Sequence, residues 1–248
     1  GGAVLFTLAA ASASPEGKRK YFGISLVLLA LSGAALTALI FLVSPLVLRI
    51  FGAEGETLAV AEAYMRFIAL GSLFQVLGTG LTPFIRNMGG TVTAMSAMIA
   101  GFVTNIVLDY LFVWVLPWGM TGAAVATVIG QAATFCVCLG YLVVKKQKPD
   151  FRFGGRAFRF AGKTLLLGLS PFGLAFSPNF MLIFVNFSAS AVGGQFALNC
   201  FAPVSYAISV VLLLLQGVSD GCQPLVSRGF GSGSARGARS VRNLAFAF

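Results

Sequence analysis

The amino-acid sequence predicts an all-α integral membrane protein, a polytopic helical bundle, on three observations. Its 248 residues are 58% hydrophobic and only 10% charged, where a soluble domain carries about 25% charged residues; mean hydropathy is +0.92. The apolar residues fall in runs of about 20 to 27, long enough to cross a ~30 Å hydrocarbon core as helices and too long for barrel strands. The basic residues gather between alternate runs, the charge bias that orients membrane helices.

Taken in order, residues 1–14 read as a truncated span, followed by spans at 22–48, 58–82, 92–116, 120–144, 164–188 and 196–220. Each must satisfy its own backbone hydrogen bonds in lipid, which makes it helical. Apart from Arg49 and Arg66, every Lys and Arg lies in one set of loops: Lys18 to Lys20; Arg86; Lys145, Lys146, Lys148, Arg152, Arg156, Arg159 and Lys163; and Arg228, Arg236, Arg239 and Arg242. The opposite loops, around Phe51 to Thr57, Pro117 to Gly119 and Ser188 to Gly194, contain none. The basic loops are therefore expected on the cytoplasmic side, with 145–163 as a linker whose charges set topology or meet anionic headgroups. The start at Gly1-Gly2 does not resemble a signal peptide, and the chain reads as a fragment.

A shift of 220 residues superimposes Gly1, Leu5, Ser12, Ser14, Gly17 and Arg19 on Gly221, Leu225, Ser232, Ser234, Gly237 and Arg239, with Thr7 on Ser227. The period holds six spans, so successive repeats point the same way across the membrane. Parallel repeats flanking a substrate path are a transporter signature, and two of them imply a parent of roughly 440 residues and twelve helices.

The net charge of +10 is a topology signal rather than a nucleic-acid footprint, since no aromatic residues interleave with the bases. With no histidine, histidine acid–base chemistry and zinc sites are excluded. Cys136, Cys138, Cys200 and Cys222 lack metal spacing and read as packing residues. No Ser/His/Asp set, paired carboxylates or phosphate loop appears, so no enzyme is expected and no cofactor beyond a coupling Na⁺ or H⁺.

Asp109 is the only acid between Glu62 and Asp150. A carboxylate at membrane depth is expensive and usually faces the protein interior or a wet cavity. Asn105 precedes it by one helical turn, and the turn Pro117-Trp118-Gly119 folds Thr127 back to about the same depth. These three oxygen-bearing side chains suit a small cation or a proton; the alternative is an Asp that caps a neighbouring helix and polar links between helices. Gln75, Asn179, Asn186 and Tyr206 are candidates for lining a cavity. Asp220 is either a gate contact or part of a polar helix terminus, Glu62 and Arg66 are a local i, i+4 pair, and Pro171 and Pro178 are either a bending element or ordinary kinks.

Three pieces, Pro83-Phe-Ile-Arg-Asn87, Asn105-Ile-Val-Leu-Asp109 and Trp118-Gly-Met-Thr-Gly-Ala-Ala-Val-Ala-Thr127-Val-Ile-Gly-Gln131, together with the stretch Gln216 to Gly231, resemble the multidrug and toxic compound extrusion (MATE) antiporters of prokaryotic type. The resemblance runs from the end of that family's second helix to the start of its ninth. It implies an N-lobe at 1–144, a basic linker at 145–163 and the start of a C-lobe at 164–248. It also implies Na⁺- or H⁺-coupled export of amphiphilic, often cationic small molecules by alternating access, in a bacterial inner membrane and as a monomer. Asn105, Asp109 and Thr127 match three of the family's coupling residues; its first-helix acid has no counterpart here, and Asp220 stands where the family has an apolar or small residue. The alternatives are a lipid or polysaccharide flippase of similar fold, whose cavity carries several basic residues, and a non-transporting membrane scaffold.

Overall fold

The computed structural model describes residues 2–12, 14–50, 55–152, 157–234, 236–237, 239–241 and 243, with the side chains of 56, 195 and 198 left aside. Arg156, Arg242 and residues 51–54 of the expected Phe51 to Thr57 loop lie outside the described residues. Among the described residues every regular element is helical: α1 (Gly2–Ala11), α2 (Pro15–Ile50), α3 (Gly55–Asn87), α4 (Thr91–Asp109), a π-helical turn (Tyr110–Val115) and α5 (Gly119–Val144). α6 (Ala157–Gly194) and α7 (Asn199–Gly231) follow. Six of these helices are long and apolar enough to cross a membrane, and α1 is a short apolar helix, as the run lengths predicted.

Several boundaries differ from the expected ones because polar helix starts escape a hydropathy count. Lys18 to Lys20 are not in a loop but on the first turns of α2. Pro15 suits the first helical position, the Ser14 hydroxyl accepts from the Gly17 N–H at 3.3 Å as an N-cap, and Lys20 pairs with Glu16. Arg159 and Lys163 likewise lie on α6 rather than in the linker. Pro171 and Pro178 sit inside α6 without interrupting it; the break between α6 and α7 falls at Gly194, whose φ of 55° and ψ of −146° are open to glycine almost alone. Asp220 lies within α7 and not at its end, accepting from the Gln216 amide one turn earlier at 3.0 Å. Glu62 and Arg66 form the expected local pair, at 3.8 Å.

The chain divides into two compact units, residues 1–21 with 152–248 and residues 22–151. In the first, α1 packs on the end of α7: the Ser12 hydroxyl donates to the Gly231 carbonyl at 3.1 Å, and a Cβ on Gly231 would stand 2.6 Å from that of Ala11. The repeat seen in the sequence has matching backbone geometry here. The Ser12 and Ser14 N–H groups donate to the Leu8 and Ala9 carbonyls, and those of Ser232 and Ser234, 220 residues on, donate to Arg228 and Gly229. Ser14 accepts from the Gly17 N–H as Ser234 does from that of Gly237.

In the second unit α2, α3, α4 and α5 pack through small residues, which let apolar helices approach closely in a medium as apolar as themselves. Gly78 of α3 lies against the backbone of Phe135 on α5, where a Cβ would be 3.4 Å from its nitrogen. Gly101 of α4 faces Gly130 of α5, with 2.8 Å between a Cβ on the former and the carbonyl oxygen of the latter. Thr37 of α2 donates to the Ala69 carbonyl at 3.0 Å and lies 2.9 Å from the Ser72 hydroxyl. Leu81, Phe84, Ile85, Ala94, Ala97, Ala124, Ala126 and Cys138 form the buried core.

Candidate functional site

The site is built on the hairpin of α4 and α5. Its tip is the expected Pro117-Trp118-Gly119 turn: Gly119 takes a φ of 58°, the Trp118 N–H donates to the Phe112 carbonyl at 2.8 Å, and their rings stack 4.8 Å apart. Below the tip the arms pair Phe112 with Gly122 and Gly101 with Gly130 and Thr134. Between these levels the Asn105 amide donates to the Thr127 hydroxyl at 3.4 Å. Thr127 in turn donates to the Ala123 carbonyl at 2.9 Å.

This register differs from simple counting. Asn105, rather than Asp109, is level with Thr127, and Asp109 lies one turn nearer the tip. The π-helical turn at Tyr110–Val115 supplies the reason, because its wider coils advance less per residue along the axis and draw Asp109 towards the tip. Asp109 Oδ1 is buried and has no hydrogen-bond partner among the described residues. An orphaned acceptor at that depth is costly, and such groups mark places where a proton, an ion or strain is accommodated.

A cavity of about 190 Å³ opens between α3 and the hairpin, with Asn105, Thr127 and Gln75 on its wall. Asp109 is not on that wall. Phe74, Met98 and Phe102 supply the apolar lining, and Thr79, Gln131 and Thr134 further polar groups. Each of the three threonines in it spends its hydroxyl proton on a carbonyl of its own helix: Thr79 on Gln75, Thr127 on Ala123 and Thr134 on Gly130. Toward a ligand they are therefore acceptors, which with the Asn105 carbonyl oxygen gives this end of the cavity the hard oxygen character that suits cations. Among the described residues, no cluster of three or more His, Cys, Asp or Glu is formed.

Gln131 escaped the sequence analysis as a site residue. It donates through Nε2 to Gln75 Oε1 at 2.5 Å. Its spacing of four from Thr127 was the available signal, since i and i+4 share a helix face. Asn179, Asn186 and Tyr206 belong to the other compact unit. On α6, Asn179 donates to the Ala175 carbonyl of its own helix at 3.0 Å and Asn186 is exposed; Tyr206, on α7, is exposed.

The MatE family model matches residues 1–111. Two proteins described as "Multidrug export protein MepA" are 28% identical: that of Staphylococcus saprophyticus over 194 residues, 75% of this chain and 42% of its own length, and that of Staphylococcus aureus strain bovine RF122 over 222 residues, 82% of this chain and 46% of its own. The chain thus spans about half the length of the curated relatives it matches. Two solved structures share the fold over 98% of the chain and 55% of their own length at 23% identity: "Crystal structure of MATE in the bent conformation", with a TM-score of 0.85, and "Outward-facing conformation of a multidrug resistance MATE family transporter of the MOP superfamily", with 0.83. On the motifs, the family match, the relatives and the shared all-helical membrane fold together, the chain resembles the multidrug and toxic compound extrusion family.

Proposed function

We propose that the protein works as a cation-coupled exporter of amphiphilic small molecules in a bacterial plasma membrane, by alternating access, with Asp109, Asn105 and Thr127 in the Na⁺- or H⁺-coupling site. The observation that carries this reading is the Asn105–Thr127 hydrogen bond on the cavity wall, one turn from a buried carboxylate oxygen without a partner among the described residues. An unsatisfied oxygen beside an oxygen-lined cavity is a place where a proton or a hard cation gains free energy. The apolar wall of Phe74, Met98 and Phe102 suits the hydrophobic body of a substrate. The relatives' description as multidrug export proteins points the same way.

The test is ethidium efflux from cells expressing the gene, with Na⁺ and pH gradients imposed separately and Asp109→Asn compared with wild type. Efflux that follows one gradient and falls at least about tenfold in the variant, at equal membrane abundance, supports coupling through Asp109 and names the ion. If folded, inserted wild-type protein gives no gradient-dependent efflux, the export reading is wrong and a lipid flippase becomes the better account.

A further inference from the structure

The positive charge is unevenly divided between the two compact units. Residues 1–21 with 152–248 hold eleven of the 17 bases and two of the seven acids, Glu16 and Asp220, while residues 22–151 hold six bases and five acids. Membrane topology asks for bases on one side of the bilayer, not for their concentration in one unit. Where the second segment of the basic unit begins, aromatic residues do interleave with bases, which corrects the expectation drawn from the whole sequence. The triplet Phe151-Arg152-Phe153 recurs as Phe158-Arg159-Phe160, and Phe153 lies outside the described residues.

The second triplet opens α6. That helix has 38 residues, about 57 Å at 1.5 Å per residue against a hydrocarbon core of ~30 Å. The end that carries Arg159 and Lys163 is the one that stays outside the core, because charges inside it are costly. Arg159 and Lys163 stand four apart and share a helix face; both are exposed, and neither forms an ion pair among the described residues. Phe158 is 93% exposed and lies on the same helical stripe as the exposed Leu165 and Leu169. Phe160 turns the other way, its ring meeting that of Tyr21 edge-on at 5.0 Å. This contact seats the start of α6 on the start of α2, which carries Lys18, Arg19 and Lys20. Lys18 stands over the Phe6 ring at 4.9 Å and Lys20 pairs with Glu16, so that acid offsets only one of the charges gathered there.

We propose that the start of α6, through Phe158, Arg159 and Lys163, forms with the adjoining start of α2 an interfacial site for anionic phospholipid of the cytoplasmic leaflet. Arg159 and Lys163 donate to the headgroup phosphate, the guanidinium as a two-pronged fork and the ammonium as a point charge. Phe158 lies at the boundary between headgroups and acyl chains. A bilayer suits this arrangement better than a nucleic acid, because the exposed ring continues a stripe of apolar residues on a membrane helix, whereas stacking on bases needs aromatic groups along an open groove. The site is separate from the cavity and goes beyond the export reading, since it holds lipid whether or not the protein exports.

Lipid retention on purified protein tests this, because topology is already fixed there. Protein purified in dodecyl maltoside from cells expressing the gene is immobilised, equilibrated with equal amounts of dioleoylphosphatidylglycerol and dioleoylphosphatidylcholine, and washed; mass spectrometry counts the lipids retained. Wild type is expected to retain the anionic lipid in excess at low salt and to lose the excess in 0.5 M NaCl, where the screening length is about 4 Å. Arg159→Gln combined with Lys163→Gln is expected to lower the ratio of the two lipids at least about threefold, and Phe158→Ser to lower the anionic lipid retained with every base in place. Arg49→Gln combined with Arg66→Gln removes the same charge from the other unit and is expected to leave the ratio unchanged. A ratio near unity in wild type, equal falls in the two double variants, or unchanged retention in Phe158→Ser overturns the site. Binding of a labelled oligouridine that the α6 double variant abolishes, with no lipid preference in wild type, replaces lipid by nucleic acid as the partner.

Discussion

Helices α3 and α6 have the same hydropathy, 1.5 over their best windows, yet 44% of that window is buried in α3 and none in α6. Glycine content does not separate them, since Gly162 and Gly173 of α6 have nothing within 4 Å of an added Cβ, while Gly71 and Gly78 of α3 press on α5. Hydropathy reports that a helix belongs in lipid; a facing helix with complementary small residues decides whether it also makes an interface. The cavity arises where such an interface is deliberately imperfect, with amides and hydroxyls between glycine contacts. In α6 the corresponding surface carries instead a ladder of Phe172, Phe176, Phe180 and Phe184, each ring 4.9 to 5.8 Å from the next.

The largest effect expected from this contrast comes from filling a glycine contact. Gly101→Leu drives a side chain into Thr134 and the Gly130 carbonyl and is expected to cost about 3 kcal/mol or more, seen as a clear drop in thermal unfolding temperature in detergent. The same change at Gly173, which meets nothing, is expected to alter stability by less than about 0.5 kcal/mol; equal losses at both sites would erase the distinction between the helices.

A smaller effect separates function from packing at Asp109. Because its Oδ1 has no partner to lose among the described residues, Asp109→Asn is expected to leave the unfolding temperature unchanged or slightly raised while abolishing coupled efflux. A variant that unfolds early would instead make Asp109 a structural link.

The hairpin register is testable at the level of one bond. A double-mutant cycle on Asn105→Ala and Thr127→Val is expected to give a coupling of about 0.6 kcal/mol, typical of hydrogen bonds between membrane helices. The pair Asp109→Ala with Thr127→Val is expected to couple less, since those residues lie one turn apart; the reverse order would restore the depth that counting from Trp118 suggests. Smallest of all, Glu62→Gln breaks only the exposed pair with Arg66 and is expected to change stability by a few tenths of a kcal/mol, reduced further by salt.

The sequence by itself determined the architecture: the number of helices, their membrane character, the parallel repeat and the turn at Trp118. All of these follow from local composition and from the requirement that backbone groups in lipid bond within their own segment. It also singled out Asn105, Asp109, Thr127 and Gln75, because polar residues are conspicuous in apolar runs. Only the tertiary structure decided which of them meet. The π-helical turn moved Asp109 off the level of Thr127, and such a coil reflects how the tip of Phe112 and Trp118 packs rather than any local propensity. Gln131 became a site residue only when Gly71 of another helix left room for its amide and Gln75 accepted its hydrogen bond. The wall of this cavity comes from residues of one compact unit, 22–151, in which Gln75 lies and Asn179, Asn186 and Tyr206 do not. Periodicity places a side chain on a face of its own helix, but what that face meets depends on contacts between residues as far as 219 positions apart, and these are set by the packing of whole helices.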